Sequence, residues 1–143
     1  MKILARLFGA LALLAVAIQF IPVSRTNPPA QKEFAGPPDL MKLLKPACYN
    51  CHSHETTWPW YSRVAPVSWL IAHDVSAGRA KLDFSMWGQY APTKQKTLLH
   101  MAADEVDSRD MPPKPYTWMH ADARLTDDQV ATLKDAFETA AGD

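Results

Sequence analysis

The sequence predicts an all-α protein, one small helical domain behind an N-terminal apolar segment. Glycine is sparse, at 5 residues, and proline abundant, at 12, which suits short helices joined by stiff loops better than a sheet with tight hairpins. Apolar residues recur at i, i+3 and i+4 in the stretches 66–82, 92–107 and 126–142. A capping-box pattern from Thr126 to Gln129 opens the last of these. The 143 residues have room for one small domain plus a leader. The formal net charge of zero excludes the basic footprint that nucleic-acid binding needs, so no such partner is expected. The charge is uneven. Residues 1–38 carry Lys2, Arg6, Arg25 and Lys32 against Glu33 alone, a balance of +3, which leaves −3 for the remainder.

Residues 1–23 read as a targeting segment. Lys2 and Arg6 precede an apolar run from Leu7 to Val23, near the lower end of the roughly 17–25 residues that cross a bilayer. A cleaved secretory signal would show small residues at A-x-A spacing after the run. Here Gln19-Phe20-Ile21-Pro22-Val23 follows, with bulky side chains at those positions. The reading is therefore an uncleaved signal anchor, with a cleaved signal as the alternative. Basic residues ahead of the run hold the N-terminus in the cytoplasm and export the rest. The expected location is the cytoplasmic (inner) membrane, single-pass, with the C-terminal domain in the periplasm; cleavage would make it soluble and periplasmic.

Residues 24–38, with four prolines and no apolar period, read as a linker, and residues 39–143 as the domain. Asp39 is the expected N-cap of a first helix with Leu40, Leu43 and Leu44 on its apolar face, interrupted or kinked at Pro46. Pro66 to Leu82 predicts a second helix with Val67, Leu70, Ile71, Val75 and Gly78 as its inner stripe and Asp74 as a polar break. Arg79 near its end is expected on a solvated face, where positive charge favours the dipole. Pro92 to Asp107 predicts a third helix, capped by Thr93, with Leu98, Leu99, Ala102 and Val106 inward. The last helix is capped by Thr126, packs Val130, Leu133, Phe137 and Ala140/Ala141 inward, and ends at Gly142.

The stretch that carries chemistry is Cys48-Tyr49-Asn50-Cys51-His52. Two thiols three residues apart, followed at once by an imidazole, form the pattern that attaches c-type haem. On a helical turn, positions i and i+3 share a face, so both sulfurs reach one porphyrin edge and His52 meets the iron on the proximal side. The chain has no other cysteine. A thioredoxin-like redox pair would want a βαβ context, and zinc would want two further ligands at finger-like spacing. His52 and His54 lie too close behind Cys51 for that. The expected cofactor is one covalently attached haem c, and a haem propionate is the functional alternative to solvent as the partner of Arg79.

Two further stretches bear on this reading. Trp58-Pro59-Trp60-Tyr61 places three aromatic rings in four residues, either as part of a small core or as a wall that shields haem iron from water. Arg109-Asp110-Met111-Pro112-Pro113 holds a methionine in a stiff loop. A fixed thioether suits a soft distal ligand, and Met/His ligation raises the reduction potential. Met111 is the expected distal iron ligand; His100, Met101, Met119 and His120, or an open position, are the alternatives.

Taken together these residues resemble the exported haem-binding domain family, related to class I-type monohaem cytochromes c. The resemblance rests on Gln19-Phe20-Ile21-Pro22, Cys48 to Ser53, Thr57-Trp58-Pro59-Trp60-Tyr61 and Pro66-Val67-Ser68-Trp69. It continues through His73-Asp74-Val75, Gly78-Arg79, Met111-Pro112-Pro113 and Leu125-Thr126. It implies a small, mostly helical, cytochrome c-like domain that carries covalent haem outside the cytoplasmic membrane. The position of Met111 near the last helix matches that of the methionine ligand in cytochromes c. The expected work is one-electron transfer with a redox protein partner, not an enzymatic reaction, since no nucleophile–base pattern stands out. A haem-based sensor, a thiol oxidoreductase using Cys48 and Cys51, and a peroxidase-like enzyme using His100 or His120 are the rivals.

Overall fold

Proline and capping chemistry set where the helices begin. In the computed structural model, which describes residues 1–142, α1 spans Lys2–Ala17 and runs on as a 3-10 turn to Phe20. Asp143, the end of the expected domain, lies outside the described residues. Helix α2 spans Pro38–Leu44, α3 Asn50–His52 and α4 Val67–Lys81. Helix α5 spans Pro92–Asp107, α6 Lys114–Met119 and α7 Asp127–Ala141. No strand occurs among the described residues, and the all-α prediction holds.

The starts differ in detail from the sequence reading. Pro38 and Pro92 occupy the first positions of α2 and α5, where a missing N–H costs nothing and a fixed φ suits the helix. Asp39 therefore sits in the first turn, paired with Lys42 at 2.8 Å, and Thr93 does not cap. Pro46 does not break the chain's helical course. A single turn of wider π-type winding, Lys45–Tyr49, carries it past the proline into α3. The capping box of α7 forms as expected: Gln129 N donates to Thr126 Oγ1 at 3.3 Å, and Thr126 N donates to Gln129 Oε1 at 2.9 Å. Gly142 closes the helix at φ 89°, a left-handed backbone that glycine adopts without strain.

The core lies where α2, α5 and α7 meet. Leu44, Leu133 and Phe137 are fully buried there, joined by Leu40, Leu99, Ala103, Val106 and Val130. Tyr49 and Phe84 extend the core toward the cysteine motif, their rings stacked at 5.1 Å. The inner face of α4 departs from the expected stripe. Ser68, Val75 and Gly78 are buried, while Val67 and Leu70 are 43% and 58% exposed. Small residues face inward because α4 approaches α3 backbone to backbone.

The segment between Ile21 and Pro37 has no helix, yet it is tied to the domain along its length. Gln31 N donates to Ser85 O, Phe34 N to Phe84 O, and Gly88 N returns to Lys32 O, each at 2.8 Å. Helix α1 has no buried residue. Lys2–Phe20, 19 residues with mean hydropathy 2.1, is the one helix among the described residues long and apolar enough to cross a membrane.

Candidate functional site

The cysteine motif is held by its own variable residues. Tyr49 points into the core and is 3% exposed, which anchors the turn between the two thiols. Asn50 points the other way and brackets two loops. Its Oδ1 accepts from Thr57 N at 2.8 Å, and its Nδ2 donates to Tyr116 Oη at 2.7 Å. Tyr116 in turn donates to Pro46 O at 2.9 Å, so α6 is docked across the helical turn that carries both cysteines. Ser53 continues the frame. Its Oγ donates to Tyr49 O at 2.8 Å and accepts from Glu55 N at 2.9 Å.

Helix α4 forms the opposite support. A Cβ on Gly78 would lie 2.6 Å from Cys51 O, so only glycine permits this crossing. One turn later, Leu82 O lies 2.9 Å from His52 Nδ1. A carbonyl oxygen only accepts, so Nδ1 carries the proton and Nε2 keeps its lone pair. Burial lowers the His52 pKa, with the Leu82 and Gly78 carbonyls opposing that shift, so the ring is neutral, as a metal ligand must be. Burial likewise pushes the Cys48 thiol up to about 12, with the Cys51 charge adding to it. Cys51 is pushed up to about 11 by burial and by Asp74, against a lowering pull from Arg79. Both are free thiols.

Arg79 is half-buried and does not simply extend into solvent as expected. Its guanidinium donates to Ser53 O at 2.8 Å, Thr26 O at 2.9 Å, Asn27 Oδ1 at 3.0 Å and Thr56 Oγ1 at 2.9 Å. It clamps the segment after α1 onto the loop that follows His52, a use of the planar five-donor fork that lysine cannot match.

The expected ligand set is brought together unevenly. Cys48, Cys51 and His52 lie on one continuous helical path. Met111 is half-buried and lines a groove with Pro112, Lys114, Arg124, Leu125 and Val130. Its N–H donates to Glu105 O at 3.0 Å. Arg109 donates to Leu125 O at 3.1 Å and pairs with Asp127, which fixes this loop to the start of α7. From the same segment it is Tyr116, and His120 behind it, that reach the motif. The His120 ring stacks on Tyr116 at 4.2 Å, and its Nε2 lies 2.8 Å from Tyr61 Oη. Met101 and Met119 are exposed, and His100 is half-buried. No signal local to the sequence marked Leu82 or Tyr116 as parts of the site, because each acts through a partner distant in the chain.

Two indole donors test whether the site fits a haem. Trp58 Nε1 and Trp69 Nε1 are buried without a hydrogen-bond partner. Trp58 follows the motif by six residues, and Trp69 lies on α4, which packs on α3. A buried N–H left unpaired costs about 1–3 kcal/mol, so such groups call for an acceptor, and porphyrin carboxylates are acceptors. A neutral imidazole with a free Nε2 suits the iron. The residues fit the group, whereas no cluster of three or more His, Cys, Asp or Glu among the described residues is placed to hold a metal ion by itself.

An all-α frame with an iron-ready imidazole directly after two thiols, and with two buried indole N–H groups left without a partner, defines a small haem protein. The chain belongs to the haem-binding domain family, whose sequence model matches residues 13–139. It therefore binds haem. No curated protein and no solved structure matches the chain.

Proposed function

We propose that this protein is a membrane-tethered c-type haem protein that passes single electrons on the periplasmic side of the cytoplasmic membrane. The observation that carries the reading is the His52 ring, held through Nδ1 by Leu82 O directly after two thiols on one helical path. Cys48 and Cys51 carry the thioethers and His52 is the proximal ligand. Bound haem supplies the one-electron redox chemistry. The chain supplies the rest. Leu82 orients the imidazole, Gly78 and Tyr49 fix the turn, and Trp58 and Trp69 donate to the propionates. Leu70 lies one turn before Asp74, whose charge acts on Cys51, and offers exposed apolar area to the porphyrin. Met111 is the distal ligand in this reading, which would raise the reduction potential.

The thiol-oxidoreductase alternative asks for depressed thiol pKa values, and both thiols are shifted upward. The sensor reading rests on a separate observation. Tyr61, His120 and Tyr116 form a hydrogen-bonded and stacked group against the motif, and such donors suit a bound diatomic ligand. The mass and the absorption spectrum of the exported full chain test these readings together. A gain of one haem with a methionine-to-iron charge-transfer band, lost in Met111→Ala and kept in His120→Ala, supports electron transfer. A five-coordinate spectrum with rapid carbon monoxide binding in the unaltered protein sinks it in favour of sensing. Free thiols and no covalent haem, in a host competent to attach it, remove the c-type assignment.

A further inference from the structure

The end of α1 is stitched to the domain. Gln19 Nε2 donates to Ala65 O at 3.2 Å, and Ala65 N donates to Gln19 Oε1 at 2.9 Å. Six residues further on, Arg25 Nη1 donates to Ser62 O at 3.3 Å. These bonds pin residues 62–65 at the point where the apolar helix ends. Around that point the domain is apolar and exposed. Trp60 is 76% exposed, Val64 44% and Val67 43%. Phe20 and Ile21, at the exit of the helix, are 81% and 51% exposed.

The charge pattern is equally lopsided. From Thr56 to His73 the chain holds Arg63 and no acid, and from Ile18 to Lys32 it holds Arg25 and Lys32 and no acid. The acidic residues of this −3 domain are concentrated elsewhere, at the end of α5 and along α7. Exposed tryptophan, aliphatic side chains and flanking arginines suit the bilayer interface, where an amphipathic ring sits at headgroup level and cations meet anionic lipid.

We propose that the face formed by Trp60, Val64 and Val67, with Arg25 and Arg63 beside it, lies on the membrane surface, so that the domain is held against lipid in one orientation and does not hang from a free tether. The proposal rests on the anchored reading of α1. Its occupant is lipid, because Ala65, which sits between the exposed Val64 and Val67, is bonded to Gln19 at the end of the apolar helix.

The test uses the full chain, haem-loaded, in vesicles of phosphatidylethanolamine and phosphatidylglycerol. A photoreactive benzoylphenylalanine replaces Val67 in one preparation and Asp135, exposed on α7, in another. Illumination is expected to give lipid adducts by mass from position 67 and only background from position 135. Gln19→Leu, which removes the stitch, is expected to lower the yield at position 67. Alkaline extraction of the same vesicles reports the anchor separately. A chain that resists extraction yet gives no lipid adduct at position 67, or gives protein adducts there instead, overturns the orientation and leaves the anchor standing. Release by extraction overturns both.

Discussion

Replacing Gly78 by alanine probes the contact on which the site's geometry depends. An added Cβ would lie 2.6 Å from Cys51 O, 3.1 Å from Cys51 C and 3.2 Å from Cys51 Cβ. The first two neighbours are backbone, so the clash is relieved only by moving α4 away from α3. Overpacking of this kind costs about 1–3 kcal/mol. Moving α4 also lengthens the His52–Leu82 contact, a hydrogen bond worth about 0.5–1.5 kcal/mol. Alanine returns about 1 kcal/mol of helix propensity. The expected net loss is about 1–3 kcal/mol, read as a lower denaturation midpoint of the full chain. The haem-loaded variant should also show a shifted reduction potential, because the imidazole loses the bond that holds its ring and raises its basicity. Ser76→Ala, on the exposed side of the same helix, serves as the control and should be neutral or slightly stabilising. A Gly78→Ala protein as stable as Ser76→Ala, with an unchanged potential, would refute the argument that this crossing positions His52.

Asn50→Ala removes the bonds to Thr57 N and Tyr116 Oη, at about 0.5–1.5 kcal/mol each, and should speed limited proteolysis of the loop after Ser53. Arg79→Lys should fail to rescue Arg79→Ala, because one ammonium cannot replace the four-acceptor clamp; cleavage near Thr26 and Asn27 by added protease would rise in both. Trp58→Phe and Trp69→Phe should leave the haem-free chain unharmed, or about 1–2 kcal/mol more stable, by deleting an unpaired donor, yet shift the potential of the haem-loaded protein. A loss of stability in the haem-free chain would count against propionate donation. Thr126→Ala should lower the melting transition by the equivalent of about 1 kcal/mol through the lost cap alone, with no change in the haem spectrum.

Much of this protein is legible from short stretches. The helix starts at prolines, the Thr126–Gln129 box, the Gly142 stop and the apolar run of α1 are decided by residues within a turn of one another, so the sequence alone predicts an all-α chain with the right number of long helices. The thiol–thiol–imidazole spacing is equally local, since three residues and one helical turn define it. By contrast, the inner face of α4 could be read from periodicity only in part. Val75 and Gly78 turn inward as the helical repeat expects, yet Leu70 and Val67 stay exposed and Ser68 is buried in their place, and at Gly78 what lies beneath α4 is another backbone and not a pocket for side chains. The same holds for the site. The sequence by itself placed Cys48, Cys51 and His52 on one turn. Only the tertiary structure decided that Leu82 fixes the imidazole's tautomer, that Asn50 and Tyr116 bind α6 across the motif, and that Arg79 ties the segment after α1 to the loop that follows His52. Each of those contacts joins residues about 20 to 70 positions apart, and a hydrogen bond depends on where its partners meet in space, which no local pattern records.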